Sequence, residues 1–112
     1  MVQIHHVNLG VPPGGADAEA AFLLDVGYRP LPPPESFPGA RWFEAGDGSQ
    51  VHLSEDPEHR PAARAHVAVV LGAELDDVIT RLGADAPAGV FGDNRVAFCL
   101  DPAGNRWELR EH

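Results

Sequence analysis

The amino-acid sequence predicts an α+β fold built from two copies of one unit: a strand, a helix and three further strands. Three observations predict it. The segment His6-Val7-Asn8-Leu9-Gly10-Val11 is echoed 60 residues later by His66-Val67-Ala68-Val69-Val70-Leu71. His52-Leu53 is echoed 56 residues later by Glu108-Leu109, and both pairs are entered from a glycine turn. Between these ends, Gly27 and Gly83 each close a helical pattern, while Arg41-Trp42-Phe43 and Arg95-Val96-Ala97-Phe98 each read as a strand. Such self-similarity is read first, because overlooking it misassigns the whole fold.

Taken in order, Gln3 to Val11 forms the first strand, which Pro12-Pro13-Gly14-Gly15 ends, since neither helix nor ladder uses that run well. Asp17 is the expected N-cap of the first helix, with Ala18, Ala21, Phe22 and Val26 at helical spacing, Leu23 and Leu24 widening the face, and Gly27 as the stop. Tyr28 to Leu31 is a strand. Pro32-Pro33-Pro34 to Pro38-Gly39 is a stiff exposed loop that reads equally as the rim of a pocket or as a solvated linker. Ala40 to Glu44 and Ser49 to Ser54 form a hairpin turning at Ala45 to Gly48. The polar run Glu55 to Pro61 then joins the halves.

In the second half, Leu75, Val78, Ile79 and Leu82 match the i, i+3, i+4, i+7 template of a helix that ends at Gly83. Ala84 to Asp93 is ambiguous and leaves room for one short edge strand, and Asn94 to Leu100 is a strand. Asp101-Pro102-Ala103-Gly104-Asn105 is turn chemistry, with proline presetting φ and glycine and asparagine tolerating positive φ. The chain leaves that turn as a last strand, Arg106 to Arg110. The reading is one domain over 1–112, composed of module 1 (1–56) and module 2 (63–112).

Side chains alternate along a strand, so parity sorts the end strands. Val7, Leu9 and Val11 oppose His6; Val51 and Leu53 oppose His52; Val67, Val69 and Leu71 oppose His66; Trp107 and Leu109 oppose Glu108. If helices cover the apolar faces, His6, His52, His66 and Glu108 all project from the uncovered faces. Parity alone does not show that they meet. His5 falls on the apolar face and is expected to be partly buried, whereas His59 and His112 are expected to be solvated. Cys99 shares a face with Arg95 and Ala97, where it either lines or fills a cavity. Arg95, Arg106 and Arg110 read as surface charges, or, for Arg95 and Arg106, as residues orienting Glu108 or a substrate anion.

The chain has 112 residues and is 44% hydrophobic, enough for one ordinary core. Its net charge of -9 disfavours nucleic acid and anionic membranes, which attract basic surfaces. All 8 basic residues are arginine, so Schiff-base chemistry and a lysine base are excluded. With Cys99 as the only cysteine there is no intrachain disulfide, which suits a reducing compartment. No signal peptide is visible and no apolar run approaches the roughly 20 residues that span a bilayer. The expectation is a soluble, cytoplasmic protein.

Several motifs together resemble the vicinal oxygen chelate superfamily of glyoxalases, bleomycin- and fosfomycin-resistance proteins and extradiol dioxygenases. They are His6-Val7, Phe22 through Gly27-Tyr28, Val51-His52-Leu53, Ala65-His66-Val67-Ala68 and, most specific, Asp101 through Leu109. The resemblance covers nearly the whole chain. It implies two tandem βαβββ modules whose curled mixed sheets form a metal-centred cleft, with His6, His52, His66 and Glu108 as metal ligands. Three imidazoles and a carboxylate suit zinc, iron, nickel, cobalt or manganese better than magnesium or calcium. It further implies a homodimer acting on a small-molecule substrate.

Three functions are compatible with that resemblance. The first is a metal-dependent lyase or isomerase acting on an oxygen-chelating, hydroxycarbonyl-type substrate through a metal-stabilised enediolate or alkoxide, with Glu108 as ligand and base. The second is an iron-dependent extradiol-type dioxygenase, for which His6, His66 and Glu108 supply two histidines and one carboxylate. The third is a non-catalytic protein that binds an antibiotic.

Overall fold

The computed structural model describes residues 1–83, 88–91 and 93–112. The chain folds as two compact units, Met1–Arg60 and Pro61–His112. Each consists of a strand, a helix and three more strands, as the internal repeat predicts.

The first unit contains β1 (His6–Val11), α1 (Ala16–Val26), β2 (Arg29–Leu31), β3 (Arg41–Glu44) and β4 (Gln50–Glu55). Its sheet has the order β1-β4-β3-β2, with β1 parallel to β4 and the other pairs antiparallel. A parallel pair needs a long crossover, and α1 lies within it. Strand β1 starts later than the sequence suggests. Residues 1–5 are exposed, although the His5 carbonyl still accepts the Gln50 N–H at 3.0 Å.

Helix α1 corrects two expectations. Gly15, not Asp17, occupies the N-cap, without a side-chain cap; Asp17 sits in the first turn, where its charge suits the positive helix end. Its Oδ1 accepts from Arg41 Nη1 at 2.9 Å. The buried face is Ala16, Glu19, Phe22, Leu23 and Val26, while Ala18, Ala21 and Leu24 are exposed. With Val11, Phe43 and Val51 these side chains form the unit's core. Gly27 ends the helix at φ 126, a conformation open to glycine, and Leu23 O accepts from both Gly27 N–H and Tyr28 N–H.

The second unit contains β5 (His66–Val70), a 3-10 turn at Gly72–Glu74, α2 (Leu75–Leu82), β6 (Ala88–Phe91), β7 (Asn94–Leu100) and β8 (Arg106–Arg110). Its order is β5-β8-β7-β6, with β5 parallel to β8. The ambiguous stretch after α2 therefore does supply an edge strand; its residues 84–87 and 92 lie outside the described residues. Leu75 and Val78 are buried, as are Val96, Ala97, Trp107 and Leu109.

The turn before β8 is built on Asp101, which is only 4% exposed. Its Oδ1 accepts from the Ala103 and Asn105 N–H groups at 3.1 and 2.8 Å, and its Oδ2 from Trp107 Nε1 at 3.0 Å. Gly104 takes φ 86, and a Cβ there would stand 2.9 Å from Pro61 Cγ, so both conformation and space require glycine. The Asp101 N–H donates to Asn105 O, which closes the turn and sets Leu100 opposite Arg106. Among the described residues no helix is long and apolar enough to cross a membrane.

Candidate functional site

Register decides which side chains share a face. In the first unit, β4 places His52 opposite both Asn8 of β1 and Trp42 of β3, so these three lie in one row across the sheet. His6 lies opposite Gln50 in the next row of the same face. The result is a series of nearly parallel rings. The His6 and His52 centroids are 4.0 Å apart at 12°, and those of His52 and Trp42 are 4.2 Å apart at 7°.

Two polar contacts fix the imidazoles. His52 Nε2 is 2.8 Å from Gln50 Oε1, an acceptor, so Nε2 carries the proton and donates. His6 Nδ1 is 2.9 Å from His5 Nδ1, one ring donating to the other. His5 is exposed, contrary to the partial burial expected of it. Burial first, and then repulsion from His6 and His5, pushes the His52 pKa below the ordinary histidine value.

Beside this row the first unit carries a cavity of about 620 Å³, lined among others by Asn8, Phe37, Arg41, Trp42, His52 and Ser54. Its size falls within the range of small-molecule sites. Phe37 and Gly39 come from the proline-rich loop, which therefore does rim a pocket; Phe37 is 64% exposed. The cations and anions on its wall are already engaged: Arg41 with Asp17, and Glu55 Oε1 with the Gly14 N–H at 3.1 Å. His59 is half-buried where solvation was expected, because Gly10 leaves room for its ring; a Cβ on Gly10 would be 2.8 Å from His59 Nδ1.

In the second unit, β8 places Glu108 between Ala68 of β5 and Phe98 of β7, and Arg106 between His66 and Leu100. His66 Nε2 lies 3.9 Å from Glu108 Oε1. His66 Nδ1–H donates to the Arg64 carbonyl at 3.0 Å, and Arg110 Nη1 donates to Glu108 Oε2 at 2.8 Å. Each member of the pair is thus held at one atom by its own unit and turns another atom to its neighbour. Phe98 stands edge-on to His66 with centroids 6.4 Å apart.

The same register sorts two residues that the sequence leaves open. Residues paired across a ladder share a face, so Cys99, opposite Trp107 and half-buried, lies on the face away from Glu108. Burial pushes its thiol pKa up, with Asp101 adding to the effect. Arg95 has the same parity as Cys99. It pairs with Asp76 of α2, at 3.3 Å between Nη1 and Oδ2, and with Glu111 at 3.6 Å. It does not orient Glu108; that contact belongs to Arg110. Arg106 shares the Glu108 face and is exposed.

The donors therefore come as two pairs, His6 with His52 in one unit and His66 with Glu108 in the other. Among the described residues no group of three or more His, Cys, Asp or Glu is gathered to hold a metal ion. The donor chemistry nevertheless fits a transition metal. Ligating histidines commonly donate their second N–H to a carbonyl or carboxylate, as His66 does to Arg64 and His52 to Gln50. Gln50, Trp42 and Arg110 do not stand out as site residues in the sequence. The signal that finds Gln50 and Arg110 is the i±2 spacing from a candidate ligand on the same strand face.

No protein-family model matches the chain, and no curated protein matches its sequence. Solved structures do. A glyoxalase family protein from Bacillus anthracis is 26% identical, with a TM-score of 0.84 over 98% of this chain and 94% of that one. A glyoxalase/dioxygenase from Nostoc punctiforme is 22% identical, with a TM-score of 0.74 over 96% and 89%. The fosfomycin resistance protein FosX from Listeria monocytogenes is 17% identical, with a TM-score of 0.75 over 98% and 93%. A variant of FosX, 18% identical with a TM-score of 0.77 over 99% and 90%, was solved with Mn(II) and a dihydroxypropylphosphonic acid.

Proposed function

From a fold shared with a glyoxalase family protein, a glyoxalase/dioxygenase and FosX, we propose that the chain is a divalent-metal-dependent enzyme of the vicinal oxygen chelate superfamily, acting on a small molecule with neighbouring oxygen donors. His6, His52, His66 and Glu108 are the proposed ligands of zinc, iron, nickel, cobalt or manganese, and Glu108 is the proposed base. The observation that carries this reading is the His66–Glu108 pair. His66 Nδ1 is committed to the Arg64 carbonyl, and its Nε2 stands 3.9 Å from a carboxylate oxygen of Glu108. An imidazole nitrogen and a carboxylate oxygen this close are a ligand pair of the kind transition metals take. A fold relative with Mn(II) supports the same direction.

When bound, the ion would polarise the substrate's oxygens as a Lewis acid. The chain's own side chains do the remainder. Arg110 holds Oε2 of Glu108, which leaves Oε1 turned toward His66. Trp42 and Phe37 give the cavity of the first unit apolar walls, and Asn8 and Ser54, hydrogen-bonded to each other at 2.9 Å, give it a polar strip. Lysis or isomerisation of a hydroxycarbonyl-type substrate is the reaction class these parts suit. A homodimer is the proposed assembly, to be checked by light scattering of the purified chain.

Cobalt substitution tests the ligand set. Co(II) added to apoprotein is expected to give visible d–d absorption characteristic of nitrogen and oxygen ligands, lost in Glu108→Gln and in His66→Gln. An unchanged spectrum in both variants removes these residues from the coordination sphere.

One feature favours a second reading, an iron-dependent oxygenase. His52 is sandwiched between Trp42 and His6 with Nε2 engaged by Gln50, which is how a packed imidazole sits. His6, His66 and Glu108 then form a set of two histidines and one carboxylate. Under that reading His52→Gln keeps Fe(II) binding, and the ferrous protein consumes oxygen with a catechol. Loss of metal in His52→Gln returns the choice to the four-ligand set.

A further inference from the structure

A carboxylate has two oxygens, and a ligand or base in this position must present one of them in a fixed direction. The Glu108 side chain is only 13% exposed, yet a glutamate has three rotatable bonds, so something must choose its rotamer. Arg110 does. Its Nη1 donates to Glu108 Oε2 at 2.8 Å, while its Nε donates to the main-chain oxygen of His112 at 2.9 Å. The His112 main chain is itself held. Its N–H donates to Asn94 Oδ1 at 3.0 Å, and its oxygen accepts from Asn94 Nδ2 at 2.8 Å. Asn94, at the start of β7, is buried. A continuous series of contacts therefore runs from a buried amide to the carboxylate.

The two halves of the repeat solve the same problem with opposite chemistry. His52 stands where Glu108 stands, opposite Asn8 as Glu108 is opposite Ala68. An imidazole N–H needs an acceptor, and Gln50, two residues before it on the same face, supplies one. A carboxylate needs a donor, and Arg110, two residues after it on the same face, supplies a planar one that reaches two acceptors at once.

We propose that Arg110, anchored by Asn94 through the main chain of His112, is a positioning residue that holds Oε2 of Glu108 and so keeps Oε1 turned to His66. This rests on the metal reading only for its effect on affinity; the orientation itself belongs to the metal-free chain. Lysine cannot replace it fully, because one ammonium is a point donor where the fork spans Glu108 and His112.

The test uses the full chain without a histidine tag, as wild type, Arg110→Met, Arg110→Lys and Asn94→Ala. Mn(II) affinity is measured by competition with a chelating dye, and melting temperature is followed in parallel. Arg110→Met is expected to weaken Mn(II) binding roughly 10–100-fold, the range for partners of metal ligands. Arg110→Lys recovers part of the loss, and Asn94→Ala loses less than Arg110→Met. A fall in melting temperature with unchanged affinity in Arg110→Met overturns the proposal. A crystal structure of metal-free Arg110→Met separates this inference from the metal reading. Glu108 displaced from His66 supports positioning even if the wild type binds no Mn(II), whereas Glu108 in its wild-type rotamer overturns it whatever the metal does.

Discussion

Replacing Asp101 by asparagine changes one atom and should cost the second unit much of its stability. The carboxylate accepts three hydrogen bonds, two at Oδ1 and one at Oδ2 from the indole of Trp107, which is 0% exposed. An amide has one acceptor oxygen. If it faces the main chain, an NH2 group meets the indole N–H; if it flips, the Ala103 and Asn105 N–H groups lose their partner. At least one buried donor is left unmet, at about 1–3 kcal/mol, and the remaining bonds lose their charge assistance, which brings the sum to roughly 2–4 kcal/mol. For a chain of 112 residues at about 2.1 cal/mol/K per residue, that is a fall in Tm of roughly 8–17 °C. Urea unfolding followed by tryptophan fluorescence measures it, with Trp107→Phe completing a double-mutant cycle. Since phenylalanine has no N–H, the cost of Asp101→Asn should shrink in that background by about 1–3 kcal/mol. A cost under about 0.5 kcal/mol, or an equal cost in both backgrounds, refutes the assignment of Asp101 as the turn's anchor.

Gly10→Ala places a Cβ 2.8 Å from His59 Nδ1 and should cost about 1–2 kcal/mol in chemical denaturation, most of it recovered by adding His59→Ala. The lowered His52 pKa means that the unfolded chain takes up the proton first. This group's stabilisation is therefore complete above the unfolded value of about 6.5 and is lost as pH falls through the folded value. In chelator, Tm should decline on acidification across that window, and His52→Gln should flatten the decline. Arg95→Ala removes ion pairs on the face away from Glu108, so calorimetric titration should show metal affinity unchanged, with a small, salt-sensitive shift in Tm. A large loss of affinity would place Arg95 at the site after all.

The parts legible in the sequence are those set by spacing. Alternation in Arg106-Trp107-Glu108-Leu109-Arg110 separates Trp107, fully buried, from Glu108, half-buried, and the glycine stops mark both helices. What spacing does not show is register between strands. Arg95 is a candidate on residue type, but its face relative to Glu108 depends on the turn that sets Leu100 opposite Arg106. The bond between Asp101 N–H and Asn105 O fixes that pairing, so the turn's length holds the information. The orienting roles of Arg110 and Gln50 depend on rotamers that a string of letters does not choose. His59 is half-buried because Gly10 has no side chain, a space visible only once β1 and the connector are folded together.

Elemental mass spectrometry on untagged protein tests the proposed metal ligands His6, His52, His66 and Glu108. Wild type should carry about one divalent transition-metal ion per chain, and the His66→Ala, Glu108→Ala double variant should carry none. Wild type without metal after reloading, or a double variant that retains it, would show that these residues do not hold a metal.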